Sequence, residues 1–188
     1  GVMKPTKTIL ITDLDNTLYD WFEHWHESFS AFLQDLSILS GIDEETLKRD
    51  IKNVHQKHGT SECFYFLDEI ECLQRAFPKS NLRTEFRSAI DAYRKNRDQH
   101  LKLYPTVLET LQLLKERGCI VVGYTDSQAM HSIFRTKFLG LDGIFDHLFT
   151  PPTHEIDLSD PDLADAVSEY DFRLNSTEHH VLEKGEEK

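Results

Sequence analysis

The chain has 188 residues, 39% of them hydrophobic and 29% charged, and carries a formal net charge of −12. That length holds one substantial core, or one core with a smaller accessory bundle, and the composition excludes a disordered or fibrous chain. The acidic excess excludes a surface that tracks a nucleic-acid polymer, no apolar run reaches the roughly 20 residues that span a membrane, and the N-terminus lacks a signal-peptide pattern, so the sequence reads as cytoplasmic.

Thr8 to Thr12 is a short β-branched run that predicts a buried strand, and it leads directly into Asp13-Leu14-Asp15-Asn16-Thr17. From Trp21 to Leu36 the period changes. Phe22, Trp25, Phe29, Phe32, Leu33 and Leu36 recur three and four residues apart, which predicts an amphipathic helix stopped by Gly41. A second helix fits Asp43 to His58, with Asp43 as N-cap and Gly59 as its end. Ser61 is placed to cap a third, carrying Phe64, Leu67, Ile70 and Leu73 up to Pro78. A fourth carries Leu82, Phe86, Ile90 and Tyr93 to about His100, and four successive helices imply a bundle.

Helix then alternates with strand. Pro105 opens a helix bearing Val107, Leu108, Leu111 and Leu114 and closed by Gly118, and Cys119 to Tyr124 reads as a buried strand followed at once by Thr125-Asp126-Ser127. A helix with Ile133, Phe134 and Phe138 runs to Gly140, and Phe145 to Phe149 supplies a further strand. The alternation predicts an α/β fold with a Rossmann-like parallel sheet, whose strand ends on one side form the ligand crevice. Residues 151–188 hold eleven acidic residues against three Lys or Arg and read mainly as loop, with one short helix at Asp162 to Tyr170.

Several side chains have a plainer reading beside a functional one. Trp21, Phe22 and Trp25 read as bundle core before substrate pocket. His24 with His26 and His55 with His58 read as solvated surface histidines before metal ligands. Cys63, Cys72 and Cys119 are odd in number and lie in apolar patterns, so they read as buried free thiols.

The two polar segments after predicted strands carry a resemblance. ILITDLDNTL is similar to the first signature of the haloacid dehalogenase superfamily, an apolar strand followed by Asp-x-Asp-x-Thr, and VVGYTDS resembles its second, an apolar strand ending in Thr or Ser. The Leu103-Tyr104-Pro105 helix entry and the Leu139 to Phe149 stretch extend the resemblance over most of residues 7–150.

The resemblance implies an HAD-like core from residues 1–19 and 104–188, with an inserted helical cap over 20–103 that closes over the site. It implies Asp13 as nucleophile and Asp15 as general acid and base, because an aspartate divides displacement by water into two steps. It further implies Mg2+ held by the Asp13 carboxylate and the Asp15 backbone carbonyl, and phosphate held by Thr17, Thr125 and the Asp126 amide. Thr125 keeps a second reading as a capping residue. Since a phosphatase needs a proton donor at Asp15, hydrolysis of a small phosphorylated metabolite is favoured over dehalogenation. A phosphotransferase or mutase, and a catalytically incomplete interaction module, are the alternatives.

The family's later signatures are a Lys, usually before Pro, and then an acidic strand end. Lys188 is the candidate for the phosphate-binding Lys, with Lys184 second, and no segment supplies the final acids. The sequence therefore reads as a truncated form or fragment whose activity alone is in question, and self-association through an incomplete sheet edge is expected.

Overall fold

A computed structural model describes residues 8–62, 64–154, 164, 167–168 and 173–183, with side chains at all of these except 64–66. The chain divides into two compact units. One takes its described residues from Gly1–Trp21, Leu101–Asp160 and Val167–Lys188, and the other from Phe22–His100 and Pro161–Ala166. Among the described residues, no helix is long and apolar enough to cross a membrane.

The first unit is a parallel sheet of β1 (Ile9–Thr12), β2 (Ile120–Tyr124), β3 (His147–Thr150) and β4 (Glu178–Val181), in that spatial order. Its core face alternates with period two: Leu10, Val121 and Leu148 point inward, and Val121 and Leu148 are fully buried. Leu14, Leu18, Tyr19, Leu101, Leu111, Leu141 and Phe145 join that core. The helix read as opening at Pro105 instead spans Val107–Glu116 (α6), because Thr106 at its N-cap takes the left-handed conformation at φ 70°.

Gly123 is required by packing. A Cβ there would lie 3.0 Å from Leu148 Cδ1, 3.2 Å from Leu14 Cδ1 and 3.2 Å from Phe145 Cζ, and these side chains are too enclosed to retreat. Gly123→Ala is expected to cost about 1–3 kcal/mol through overpacking. Urea unfolding measures this, and an unchanged midpoint would count against so tight a fit under Leu14.

The segment read as loop beyond Pro151 supplies β4. Its weak apolar content hid it, and fixed polar contacts set its register: Asp142 accepts the Asn175 and Ser176 amides at 2.8 and 3.0 Å, and the Thr177 hydroxyl bridges the Gly143 amide and the Phe145 carbonyl at 2.8 Å each. Most of the helix expected at Asp162 to Tyr170 lies outside the described residues, although Ala164, Val167 and Ser168 are helical.

The second unit contains α1 (Trp21–Ser40) apart from its first residue, with α2 (Glu44–His58), α3 (Glu71–Ala76), α4 (Leu82–Glu85) and α5 (Arg87–His100). The first two match the periodicity, and Asp43 caps α2 by accepting the Thr46 amide at 2.9 Å. The predicted third helix is divided into a 3₁₀ turn, Phe64–Glu69, and α3, because buried Asp50 of α2 accepts the Cys72 amide at 2.8 Å and caps a new start. The predicted fourth is interrupted at Phe86, whose fully buried ring packs edge-on against Phe77 at 5.2 Å. Tertiary packing overrides helical continuity at both places.

Other readings need correction. His24 is 2% exposed, since it lies on the inward stripe with Ser28, Phe32 and Leu36, four residues apart. Phe22 is 59% exposed and lies off that stripe, whereas Trp25 is half-buried and stacks on Phe29 at 5.1 Å. His55 and His58 are half-buried: His55 lies against Phe29, and His58 Nε2 meets Glu69 Oε2 at 2.6 Å. Cys72 and Cys119 are buried free thiols, and burial followed by the neighbouring Asp50 pushes the Cys72 thiol up to about 11. Cys63 lies outside the described residues.

Candidate active site

The loop after β1 alternates in burial. Asp13 is exposed, Leu14 is 1% exposed and Asp15 is half-buried, so Leu14 anchors the backbone between the two carboxylates. The loop closes as a tight turn, with the Thr17 and Leu18 amides donating to the Leu14 carbonyl at 3.1 and 2.9 Å. Asn16 takes φ 58°, a left-handed conformation that Asn tolerates better than most residues. The turn brings the Thr17 hydroxyl back to Asp13, where it donates to Oδ2 at 3.2 Å.

Asp15 is held from three directions. Tyr19 donates its hydroxyl to Oδ1, Ser127 donates its hydroxyl to Oδ2, and Arg135 Nη1 lies 3.4 Å from Oδ1. The Arg135 side chain is only 5% exposed, while that of Asp15 retains 21%. Charge-assisted hydrogen bonds of this kind fix a carboxylate's direction as well as its position. Burial pushes the Tyr19 hydroxyl far above its ordinary range, opposed by Arg135 and reinforced by Asp15, so at neutral pH Tyr19 is a proton donor to the carboxylate.

Ser127 belongs to the loop after β2, so its bond to Asp15 joins the two strand-end loops. Thr125 is 3% exposed. Its amide donates to the Phe149 carbonyl at 3.1 Å, and its hydroxyl accepts the Ser127 amide at 3.1 Å. It thus caps the loop turn, whereas Gln128 is the N-cap of α7 (Ala129–Phe138). Asp126 is exposed. Lys184 and Lys188 lie outside the described residues.

The sequence reading missed Tyr19, Ser127 and Arg135. Tyr19 had a local signal, a phenol four residues after Asp15 across a turn. Arg135 had none, because it reaches Asp15 from a helix 120 positions later in the chain.

Residues 7–169 match the family model described as haloacid dehalogenase-like hydrolase. No curated protein gives a significant match. Similar solved structures include a proposed β-phosphoglucomutase from Thermotoga maritima, at TM-score 0.50 and 20% identity over 87% of this chain and 70% of that one. A proposed phosphoglycolate phosphatase from Haemophilus somnus is 20% identical at TM-score 0.40, over 82% of this chain and 67% of that one. A proposed hydrolase from Bacillus subtilis, bound to magnesium, is 14% identical at TM-score 0.42, over 78% and 64%. The chain spans about two thirds of the length of these structures.

Proposed function

The chain belongs to the haloacid dehalogenase-like hydrolases, and we propose that within that family it hydrolyses a small phosphomonoester through an aspartyl-phosphate on Asp13. The observation that carries this reading is the difference between the two carboxylates of one loop. Asp13 is exposed with a single hydroxyl on one of its oxygens, while Asp15 is restrained by Tyr19, Ser127 and Arg135. A nucleophile needs an accessible oxygen, and an acid and base needs a fixed direction, so the two environments suit the two roles.

In the first half-reaction, which starts from enzyme whose Asp15 has taken up a proton from solvent, an Asp13 carboxylate oxygen bonds to phosphorus, the bond from phosphorus to the ester oxygen breaks, and Asp15 gives that proton to the departing alkoxide. In the second, Asp15 removes a proton from water, whose oxygen attacks phosphorus and frees Asp13 and inorganic phosphate. Atoms and charges balance with water as the only co-substrate. In this reading Thr17, Thr125 and the Asp126 amide hold the phosphoryl oxygens, as donors at strand ends suit an anion, and Lys188 adds a positive charge.

The donor set fits a magnesium ion, since the exposed Asp13 carboxylate and the Asp15 carbonyl offer only hard oxygen atoms. When bound, the ion offsets the repulsion between a carboxylate and an anionic phosphate. Phosphate release from a panel of metabolite esters is expected to fall to background with EDTA and to return with added Mg2+. Release that persists after chelation would remove the metal from this reading, and phosphate relocated within the substrate would mark a mutase in place of a hydrolase.

A further inference from the structure

β3 and β4 are parallel neighbours in a register that opposes His147 to Glu178 and Phe149 to His180. Because side chains alternate with period two, these residues project from one sheet face, opposite the face on which Leu148 enters the core. There His147 Nδ1 and His180 Nε2 are 3.0 Å apart, Glu178 Oε2 is 3.4 Å from His147 Nδ1, and Glu178 Oε1 is 3.9 Å from His180 Nε2.

We propose that His147, Glu178 and His180 form a binding site for a borderline divalent cation of the zinc type, separate from the hard-ion chemistry at Asp13. Two imidazoles and a carboxylate are a donor set that favours Zn2+, Co2+, Ni2+ or Cu2+ over Mg2+. Around a tetrahedral ion with bonds near 2.0–2.1 Å, ligand atoms stand about 3.4 Å apart. The nitrogen pair at 3.0 Å and the His147 Nδ1–Glu178 Oε2 pair at 3.4 Å lie near that value, and with one ligand atom from each residue already within 4.8 Å of the others, a rotation of the exposed Glu178 side chain completes the geometry. Between two neutral imidazole nitrogens only one proton can be shared, whereas a cation uses both lone pairs at once.

The surroundings favour a defined site. The Phe149 ring stacks on His180 with centroids 4.5 Å apart and planes 14° from parallel, which restricts that imidazole. The Glu178 amide donates to the Asp146 carbonyl at 3.0 Å, and the Asp142 and Thr177 contacts fix the entry to β4. The ligand side chains are 37%, 68% and 32% exposed in the order His147, Glu178 and His180. An ion can therefore enter from solvent and keep a water as fourth ligand, while cross-linking the last two strands.

The test is calorimetric titration of Zn2+ into the 188-residue chain with Mg2+ in excess, paired with the visible absorption of bound Co2+. One zinc per chain is expected, undisturbed by Mg2+, with cobalt bands of tetrahedral type. The variant His147→Ala/His180→Ala is expected to lose at least about 100-fold in zinc affinity while its far-ultraviolet dichroism stays unchanged, and Glu178→Gln at least about tenfold. His26→Ala, at an exposed helix position, is the control and should bind as the parent does. No zinc binding by the parent chain, or binding equal in parent and double variant, would overturn the proposal.

Discussion

Asp13→Asn is expected to lower phosphate release by at least about 10³-fold, since the amide keeps the shape of the carboxylate and loses its nucleophilicity. The Thr17 hydroxyl still finds an oxygen to donate to at this position, and the exposed side chain bears little of the packing. Stability should therefore change by less than about 0.5 kcal/mol, which separates a chemical defect from a folding one. A steady-state assay beside a thermal melt gives both numbers. Activity that survives the substitution removes Asp13 from the chemistry.

The second large effect is expected at Asp15. General acid and base catalysis contributes roughly 10²–10⁴-fold, so Asp15→Asn should reduce turnover of alkyl phosphates by an amount in that range. The loss should be much smaller in the first half-reaction with p-nitrophenyl phosphate, whose phenolate departs without a proton. A comparison of the rates at which the two substrate types phosphorylate the enzyme isolates the acid role. Equal losses for both would mean that Asp15 acts by position alone. The substitution also removes a negative charge beside the Arg135 guanidinium, whose side chain is 5% exposed, so unlike Asp13→Asn it should lower stability as well.

The residues that carry chemistry in this reading were visible in the sequence, and their supports were not. Ile9–Thr12 and Ile120–Tyr124 form strands within a residue or two of where the apolar runs placed them, because β-branched residues favour extended backbone. The polar triplets that follow them fall at the strand ends. But β1 is not the buried strand expected, since it forms an edge of the four-stranded sheet with Ile9 59% and Ile11 69% exposed. Ser127 and Arg135 carry no periodic signal, and their relation to Asp15 exists only once β1, β2 and α7 have assembled. β4 was hidden by its composition: Glu178-His179-His180-Val181 is too polar to announce a strand, and the Asp142 and Thr177 side chains recruit it by accepting backbone amides. The breaks at Ile70 and Phe86 were likewise hidden, since each depends on a partner distant in sequence or on complete burial of one ring.

The same physical point explains the misplaced histidines. His24 lies four residues before Ser28 and eight before Phe32, a spacing that puts a polar ring on the apolar stripe, and the stripe decides its burial. His147 and His180 attracted no notice because they are 33 positions apart in the chain, although strand register makes their ring nitrogens neighbours.

Whether Asp13 bonds to phosphorus is tested most directly by trapping. Turnover of a phosphomonoester is quenched in acid, the acyl phosphate is reduced with borohydride, and the digested peptides are sequenced by mass spectrometry. Homoserine at position 13, absent when substrate is omitted, is the expected result. An unmodified Asp13 in a preparation that releases phosphate steadily, or homoserine at another aspartate, would contradict it.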